Sequence, residues 1–362
     1  MALHHAQTVI YSQIECAREM KEVHIDDIGV DEILASGPNR AEPTPAESVD
    51  LSPSQVKKLQ SNDYRVSILF HYLQGTWTKL QLKGLKKRFD ELGITIEGIY
   101  GSEFDADKQS RILEQIAQKD IDALISIPVD TAATAEAHRA VSEAGIDIVI
   151  MDNVPDGFQH PRDYAGCVSS DNKGAGVIAG RLLRKFVSEG TVGMVNFDAP
   201  FYVTKQREIA VRETLREAPD ISIVTERGFT DPYDVEDLVT EMLESHPDLD
   251  GLFVIWADPP CMQAIRAARQ LGISDLHITT TDLSNEAVQH IANGGMLKGT
   301  GAQLPYQQGI IEANMAGQTL LGNDTPQFIA SGSLPISREN LREMYPRYYQ
   351  EELPQNLLSI IH

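Results

Sequence analysis

Apolar positions in this chain switch repeatedly between two spacings, and the switching is regular from about residue 64 onward. VSILF (66–70) is a short apolar run of the kind that makes a buried strand, and Leu82, Leu85, Phe89 and Leu92 then recur at the interval of one helix face. ITIEGIY (94–100) predicts a second strand, Ile112, Leu113, Ile116 and Ala117 a helix face, and IDALISI (121–127) a third strand. A helix near 132–144 and the strand IDIVIM (146–151) continue the series. SSDNKGAGVIAGRLLRKF (169–186) reads as a helix entered through glycines, followed by the strand TVGMVN (191–196), a helix at 203–217 and the strand ISIVT (221–225). Val235, Leu238, Val239 and Met242 then mark the i, i+3, i+4, i+7 face of a helix. GLFVIW (251–256), a helix around 261–271, HITTT (277–281), a helix at 284–293, MLKGTGA (296–302) and a helix at about 306–321 follow, before PQFIASGSLPIS. Strands alternating with helices predict parallel sheets covered on both faces, most economically as two doubly wound α/β lobes.

The two halves also repeat. DIDALISIPVD (120–130) is answered by DLDGLFVIWAD (248–258), so that Asp120, Asp122, Leu124 and Asp130 find counterparts in Asp248, Asp250, Leu252 and Asp258. Each copy runs on through a helix to Gly-Ile (Gly145-Ile146; Gly272-Ile273) and into an apolar run that ends in an acid, Asp152 or Asp282. Parallel strands deliver ligand-facing residues at their carboxyl ends. Two such units facing each other predict one cleft lined with carboxylates from both sides, a setting for a polar, hydrogen-bonding small molecule.

Length and charge narrow the choice. A chain of 362 residues suits two domains of ordinary size. The net charge of −22, with no long run of Lys and Arg, argues against nucleic acid, whose binding needs a basic footprint. Cys16, Cys167 and Cys261 are widely spaced and imply neither a disulfide framework nor a metal site. No stretch reaches the roughly 18 apolar residues of a membrane-spanning helix. The N-terminus carries no secretory h-region, which leaves either a cytosolic protein or an exported one whose signal is absent from this sequence. Residues 1–62 differ from the rest: five Lys and Arg stand against ten Asp and Glu, and SGPNRAEPTPAESVDLSPSQ (36–55) reads as a linker or an extended wrap. A short amphipathic helix is expected around 13–22.

Among motifs, Gly174-Ala-Gly176-Val-Ile-Ala-Gly180 resembles a dinucleotide fingerprint, but it follows the polar SSDN instead of a strand. Close packing at a helix start is the better account. Asp105-Ala-Asp107 lacks the glycine and closing Glu of a calcium loop and reads as a helix N-cap. No arrangement typical of a nucleophile or a metal centre is present, so catalytic residues, metal and cofactor are all expected to be none. Both tryptophans fall near strand ends: Trp77 in HYLQGTWTKLQ (71–81), expected in a loop at the sheet's carboxyl edge, and Trp256 at the end of the mirrored strand. Indole faces suit the C–H face of a ring or polyol, while acids and amides bind its hydroxyls.

MDNVPDG (151–157), VSSDNKGAG (168–176), FYVTKQR (201–207), VIWADPP (254–260), TTTDL (279–283) and KGTGAQLPYQQG (298–309) occur in an order that resembles the sugar-binding proteins of bacterial ABC importers. The likeness runs from about Arg65 to Pro354 and is to type I periplasmic binding proteins of the ribose-binding type, in the branch for pentoses, polyols and related carbohydrates. It implies two lobes joined by a three-crossing hinge: 63–169 plus 303–331 as lobe I, 170–302 plus 332–362 as lobe II with the C-terminal tail, and 1–62 as an extension. Its implied ligand residues are Trp77, Asp152, Asn153, Arg207, Trp256, Asp258, Asp282 and the hinge residue Gln303, with Gln81 and Lys205 from the same segments. Two departures leave the particular sugar open: Asn153 stands where ribose binders have Arg, and WADPP is one residue longer than the usual turn.

The resemblance further implies a periplasmic monomer that captures a small carbohydrate or polyol and delivers it to the transmembrane subunits of an ABC permease, without catalysis. Two alternatives stay open at this point. One is a cytosolic sugar-sensing regulator core, although the acidic, Pro-rich N-terminus is unlike a basic helix-turn-helix. The other is an NADP-linked α/β enzyme, which rests on the glycines at 174–180.

Overall fold

The structure, a computed structural model, describes residues 24–199 and 201–361. Its strands in chain order are β1 (Arg65–Phe70), β2 (Thr95–Gly101), β3 (Ala123–Ser126), β4 (Asp147–Met151), β5 (Gly166–Ser170), β6 (Gly190–Phe197), β7 (Ile221–Phe229), β8 (Gly251–Val254), β9 (His277–Thr281), β10 (Leu297–Ala302), β11 (Phe328–Ser331) and β12 (Leu334–Ser337). They form two six-stranded sheets, one ordered β11-β5-β4-β3-β1-β2 and the other β12-β10-β9-β8-β6-β7. The first is parallel throughout, and in the second only β12 runs antiparallel, against β10. We call the units built on these sheets lobe I and lobe II. The central strands are apolar along their whole length because helices cover both faces of each sheet, as in β3 and β8, every residue of which is buried.

The helices are α1 (Pro53–Gln60), α2 (Thr76–Leu92), α3 (Ala106–Ile116), α4 (Ala135–Glu143), α5 (Asn172–Phe186), α6 (Tyr202–Arg216), α7 (Val235–Ser245), α8 (Met262–Gln270), α9 (Asn285–Ala292), α10 (Pro305–Leu320), α11 (Leu341–Tyr349) and α12 (Gln355–Leu358). Leu85, Phe89 and Leu92 of α2 bury with Met315 and Ala316 of α10 on the lobe I sheet. A side chain at Gly84 would strike the backbone of Tyr306, and one at Gly309 the backbone of Gln81, so these two glycines let α2 and α10 approach closely. None of the described helices is long and apolar enough to cross a membrane.

The chain passes between the sheets at Ser170–Asn172, Ala302–Pro305 and Ser331–Leu334. The first and third passages are stitched together: the Asp171 N–H donates to Ser331 O at 2.7 Å, and Ser333 Oγ donates to Asp171 O at 2.9 Å. Three crossings, two of them stitched together, make a hinge about which two rigid bodies can rotate.

Several details differ from the sequence reading. Trp77 lies in the first turn of α2, not in a loop. GCVSS forms β5, a strand too small and hydroxylated to show as an apolar run, directly before α5. Inside the Pro/Ser-rich stretch, Ser52 and Gln55 make a reciprocal capping box and Pro53 takes the first helical position, so α1 forms and buries Leu59 in the lobe I core. α11 had no counterpart in the pattern, because its buried face is built from Leu341, Met344, Tyr345, Tyr348 and Tyr349. The helix expected at 13–22 falls outside the described residues. Asp105 does cap α3, accepting the Lys108 N–H at 2.8 Å. Gly176 and Gly180 face Arg207, Ala210 and Thr214 of α6, which is the close helix packing expected of them.

Candidate functional site: the cleft between the lobes

The carboxyl ends of both sheets face each other, and the strand-end residues there share an unusual backbone. Asp152 after β4 has φ 58°, Asp282 after β9 has φ 67°, and Trp256 after β8 has φ 66°. A non-glycine residue in this left-handed region costs roughly 1 kcal/mol or more and persists only where its surroundings hold it. The holding bonds are visible: the Asp152 N–H donates to Val168 O at 3.0 Å, and Thr300 Oγ1 donates to Asp282 O at 2.6 Å.

One hydrogen-bonded chain joins the two acids across the lobes. Trp77 Nε1 donates to Gln303 Oε1 at 3.3 Å, and Gln303 Nε2 donates to the Asp282 carboxylate. Arg207 Nη1 lies 3.3 Å from Asp282 Oδ2, while Arg207 Nε donates to Asn172 Oδ1 at 2.7 Å. Asn172 Nδ2 donates to Ser169 Oγ at 3.0 Å, and Ser169 Oγ donates to Asp152 Oδ1 at 2.6 Å. On the lobe I side, Gln308 Nε2 also reaches Asp152 Oδ1, at 3.4 Å, and Gln81 Nε2 donates to Glu312 Oε1 at 2.5 Å.

The two acids differ electrically. Asp152 is buried, and that burial raises its carboxyl above the usual range, against the pull of Ser169, Arg207 and Gln308. Glu312, fully buried behind it, is pushed well up, first by burial and then by the charge of Asp152. Asp282 is instead ion-paired with Arg207, itself only 3% exposed. Asn153 is 2% exposed, and neither its amide oxygen nor its amide nitrogen has a partner among the described residues; the same holds for Thr281 Oγ1 beside Asp282. Buried polar groups normally find partners, which sets these atoms apart from the bonded residues of the network.

The structure therefore brings Trp77, Asp152, Arg207, Asp282 and Gln303 into one network, with Asn153 beside it. Gln81 is drawn into lobe I, onto Glu312. Trp256 packs against Phe197 at a tilt (4.6 Å between centroids) and edge-on against Phe229 (5.7 Å), making an aromatic wall on lobe II. Lys205 turns back into its own lobe, donating to Phe197 O at 2.6 Å and to Glu208 at 3.0 Å. Asp258 is exposed on lobe II, and its charge acts on Tyr72 of lobe I, whose hydroxyl pKa is raised first by burial. Ser169, Asn172, Gln308 and Glu312 bond to these predicted residues and were not singled out by the sequence reading. Their signal lay in SSDN and PYQQG, polar residues at the edge of otherwise buried elements.

Leu80 of α2 buries in the lobe II core, and Phe201 packs on the lobe I core, so the lobes meet across the cleft as well as at the hinge. Two doubly wound lobes with a shared, acid- and amide-lined cleft define the bilobal α/β binding proteins. The model of the periplasmic binding protein domain matches residues 66–324, and the chain belongs to that family. A D-ribose/D-allose-binding protein of Pseudomonas aeruginosa is 25% identical over 251 residues, covering 68% of this chain and 77% of that one. Two solved structures share the fold. An ABC transporter solute-binding protein from Agrobacterium vitis, bound with α-D-tagatopyranose, has a TM-score of 0.73 at 20% identity, covering 81% of this chain and 100% of its own. A periplasmic solute-binding protein from Actinobacillus succinogenes, with bound D-allose, has a TM-score of 0.70 at 20% identity, covering 76% and 98%.

Proposed function

We propose that this protein is a solute-binding receptor that captures a monosaccharide or sugar alcohol between its lobes and presents the closed form to an ABC permease in the periplasm. The observation that carries the reading is the bond chain from Trp77 through Gln303, Asp282, Arg207, Asn172 and Ser169 to Asp152, which ties acids from both lobes into one cleft. Carboxylates accept from sugar hydroxyls, while Arg207 and the amides of Asn153 and Gln303 donate to hydroxyl and ring oxygens. The indole of Trp77 covers a C–H face.

A ligand that touches both lobes binds the closed state better and shifts the population toward it. Stereochemical choice follows from burial: a hydroxyl missing or inverted leaves a desolvated carboxylate or amide without its partner, at about 1–3 kcal/mol. Family membership and the paired acids support this reading over a regulator core or an NADP-linked enzyme. Of the glycines on which the enzyme alternative rests, Gly176 and Gly180 pack α5 against α6, and Gly174 lies against Asp171 and Val30.

Thermal melting with pentoses, hexoses, polyols and NADP(H) tests it, because a ligand of the native state stabilises by mass action. One narrow carbohydrate group should raise the melting temperature and NADP(H) should not. Stabilisation by NADP(H), or by none of the carbohydrates, would overturn the receptor reading.

A further inference from the structure

Residues 24–52 supply nothing to the cleft, yet they are fastened to both lobes. On lobe II, Ile25 and Ile28 bury with Ile178 and Leu182 of α5, and Arg181 Nη1 donates to Gly29 O at 2.5 Å and to Ile28 O at 3.3 Å. At the first hinge passage, the Leu34 N–H donates to Asp171 Oδ2 at 3.0 Å, while Asp171 Oδ1 caps α5 through the Gly174 N–H at 2.8 Å. Tyr202 OH, from the first turn of α6, then donates to Ser36 O at 3.0 Å and lies 3.3 Å from Gly37 O. On lobe I, the Thr44 N–H donates to Phe328 O at 2.9 Å, and Thr44 bridges Ile329 in parallel along the free edge of β11. Val49 enters the lobe I core, and Gln318 Nε2 donates to Asp50 O at 2.9 Å.

We propose that residues 24–52 form a fourth connection between the lobes, and that Arg181, Tyr202 and Gly37 set ligand affinity through it without touching the ligand. The second half of this rests on the receptor reading above. Slack decides the matter. Gly37 is held by Tyr202 of lobe II on one side and seated against the ring of Phe328 of lobe I on the other. Anchors to opposite lobes thus meet on a single residue. Any rotation that separates α6 from β11 must break one of them or unwind the turn that the Gly37 N–H closes onto Ala41 O at 2.8 Å. Both sets of anchors are made together with the lobes in contact, so the strap favours that arrangement over the open one. A closed state favoured before ligand arrives means a larger competent fraction, tighter binding and slower release.

The test uses the full chain and attacks the strap from each side. Arg181→Met with Tyr202→Phe removes the lobe II bonds. Gly37→Ala adds a methyl that collides with Phe328, while φ of −73° leaves the backbone unstrained. Small-angle scattering without ligand should show a larger radius of gyration for each variant than for the parent. Release of D-allose, followed by tryptophan fluorescence, should quicken roughly 3- to 10-fold, the scale of one or two lost hydrogen bonds. Ligand-free scattering profiles identical to the parent's in both variants overturn the fourth connection, whatever D-allose does. If the variants expand but no carbohydrate binds the parent, the strap stands and the receptor reading falls.

Discussion

Lobe I and lobe II end a strand in the same way and put the result to different use. Asp152 and Asp282 occupy matching places in the internal repeat, with the same left-handed backbone at φ 58° and 67°. Asp152 is buried among neutral donors, Ser169 and Gln308, with its carboxyl raised by burial. Asp282 keeps partial exposure and faces the guanidinium of Arg207. The repeat conserves a geometry that aims an acid into the cleft, and the neighbours decide what that acid does. Lobe I holds a buried carboxylate served by a hydroxyl and an amide, and lobe II holds an ion pair that also binds the hinge through Gln303.

The comparison breaks most easily by exchanging the acids. Asp152→Ala and Asp282→Ala should each weaken carbohydrate binding by about 3 kcal/mol or more, since each removes a carboxylate able to take two charge-assisted hydrogen bonds. Stability should separate them. Asp282→Asn leaves the buried Arg207 without its counter-charge, at about 3 kcal/mol, whereas Asp152→Asn removes an unpaired buried charge and should stay within about 1 kcal/mol of the parent. Calorimetry for affinity and denaturant melts for stability check both. Equal stability losses would mean that the two sites are electrically alike.

Acid should act on lobe I first. His138, fully buried there, donates from Nδ1 to Thr134 O and accepts from Ser126 Oγ, both at 2.9 Å, and burial lowers its pKa to about 4. The folded value lies below the ordinary value of 6.5, so the unfolded chain takes up the proton more readily. Its contribution is therefore complete above pH 6.5 and is lost as pH falls toward 4, about 3 kcal/mol in all. His277 and His290 of lobe II are also lowered, but both keep partial exposure. Burial lowers His71 of lobe I to about 4 as well, so melts between pH 4 and pH 7 should show a falling stability that His138→Gln reduces without abolishing; an unchanged slope would remove His138 as one of its sources.

Trp77 and Trp256 extend the contrast. Trp256 is locked among Phe197 and Phe229, while Trp77 reaches across to Gln303. Trp77→Ala should weaken binding by about 1–3 kcal/mol with the fold intact. Unchanged affinity by calorimetry would take Trp77 out of the site.

What could be read from the sequence follows the same division. The strands whose residues are apolar throughout announced themselves, and the acids at their ends followed from the repeat. β5 did not, because Gly166, Ser169 and Ser170 are small and polar where the hinge needs close approach and hydrogen bonds. Nor did Gln308 and Glu312, which lie 156 and 231 residues from their partners Asp152 and Gln81. A residue that serves a buried acid shows no periodicity of its own, and only the folded pairing reveals it. The strap was legible only in outline for a related reason: its Pro/Ser-rich composition reads equally as a linker or an extended wrap, while its anchors are mostly backbone groups that no side-chain pattern records.

The smallest expected effect concerns Lys205, a candidate ligand residue of the sequence reading. Here its ammonium donates to Phe197 O and to Glu208, whose own carboxyl accepts the Phe197 N–H at 2.7 Å. Lys205 therefore braces the end of β6, and with it the phenyl ring that backs Trp256. Its side chain is 40% exposed, so the ion pair is worth at most about 1 kcal/mol. Lys205→Met should keep carbohydrate affinity within about twofold and lower stability by less than about 1 kcal/mol. The effect on lobe II should then be one of support alone. Titration calorimetry decides the point: a loss of tenfold or more would mean that the ammonium leaves Glu208 for the sugar when the cleft is filled, and that lobe II rearranges its donors around the ligand.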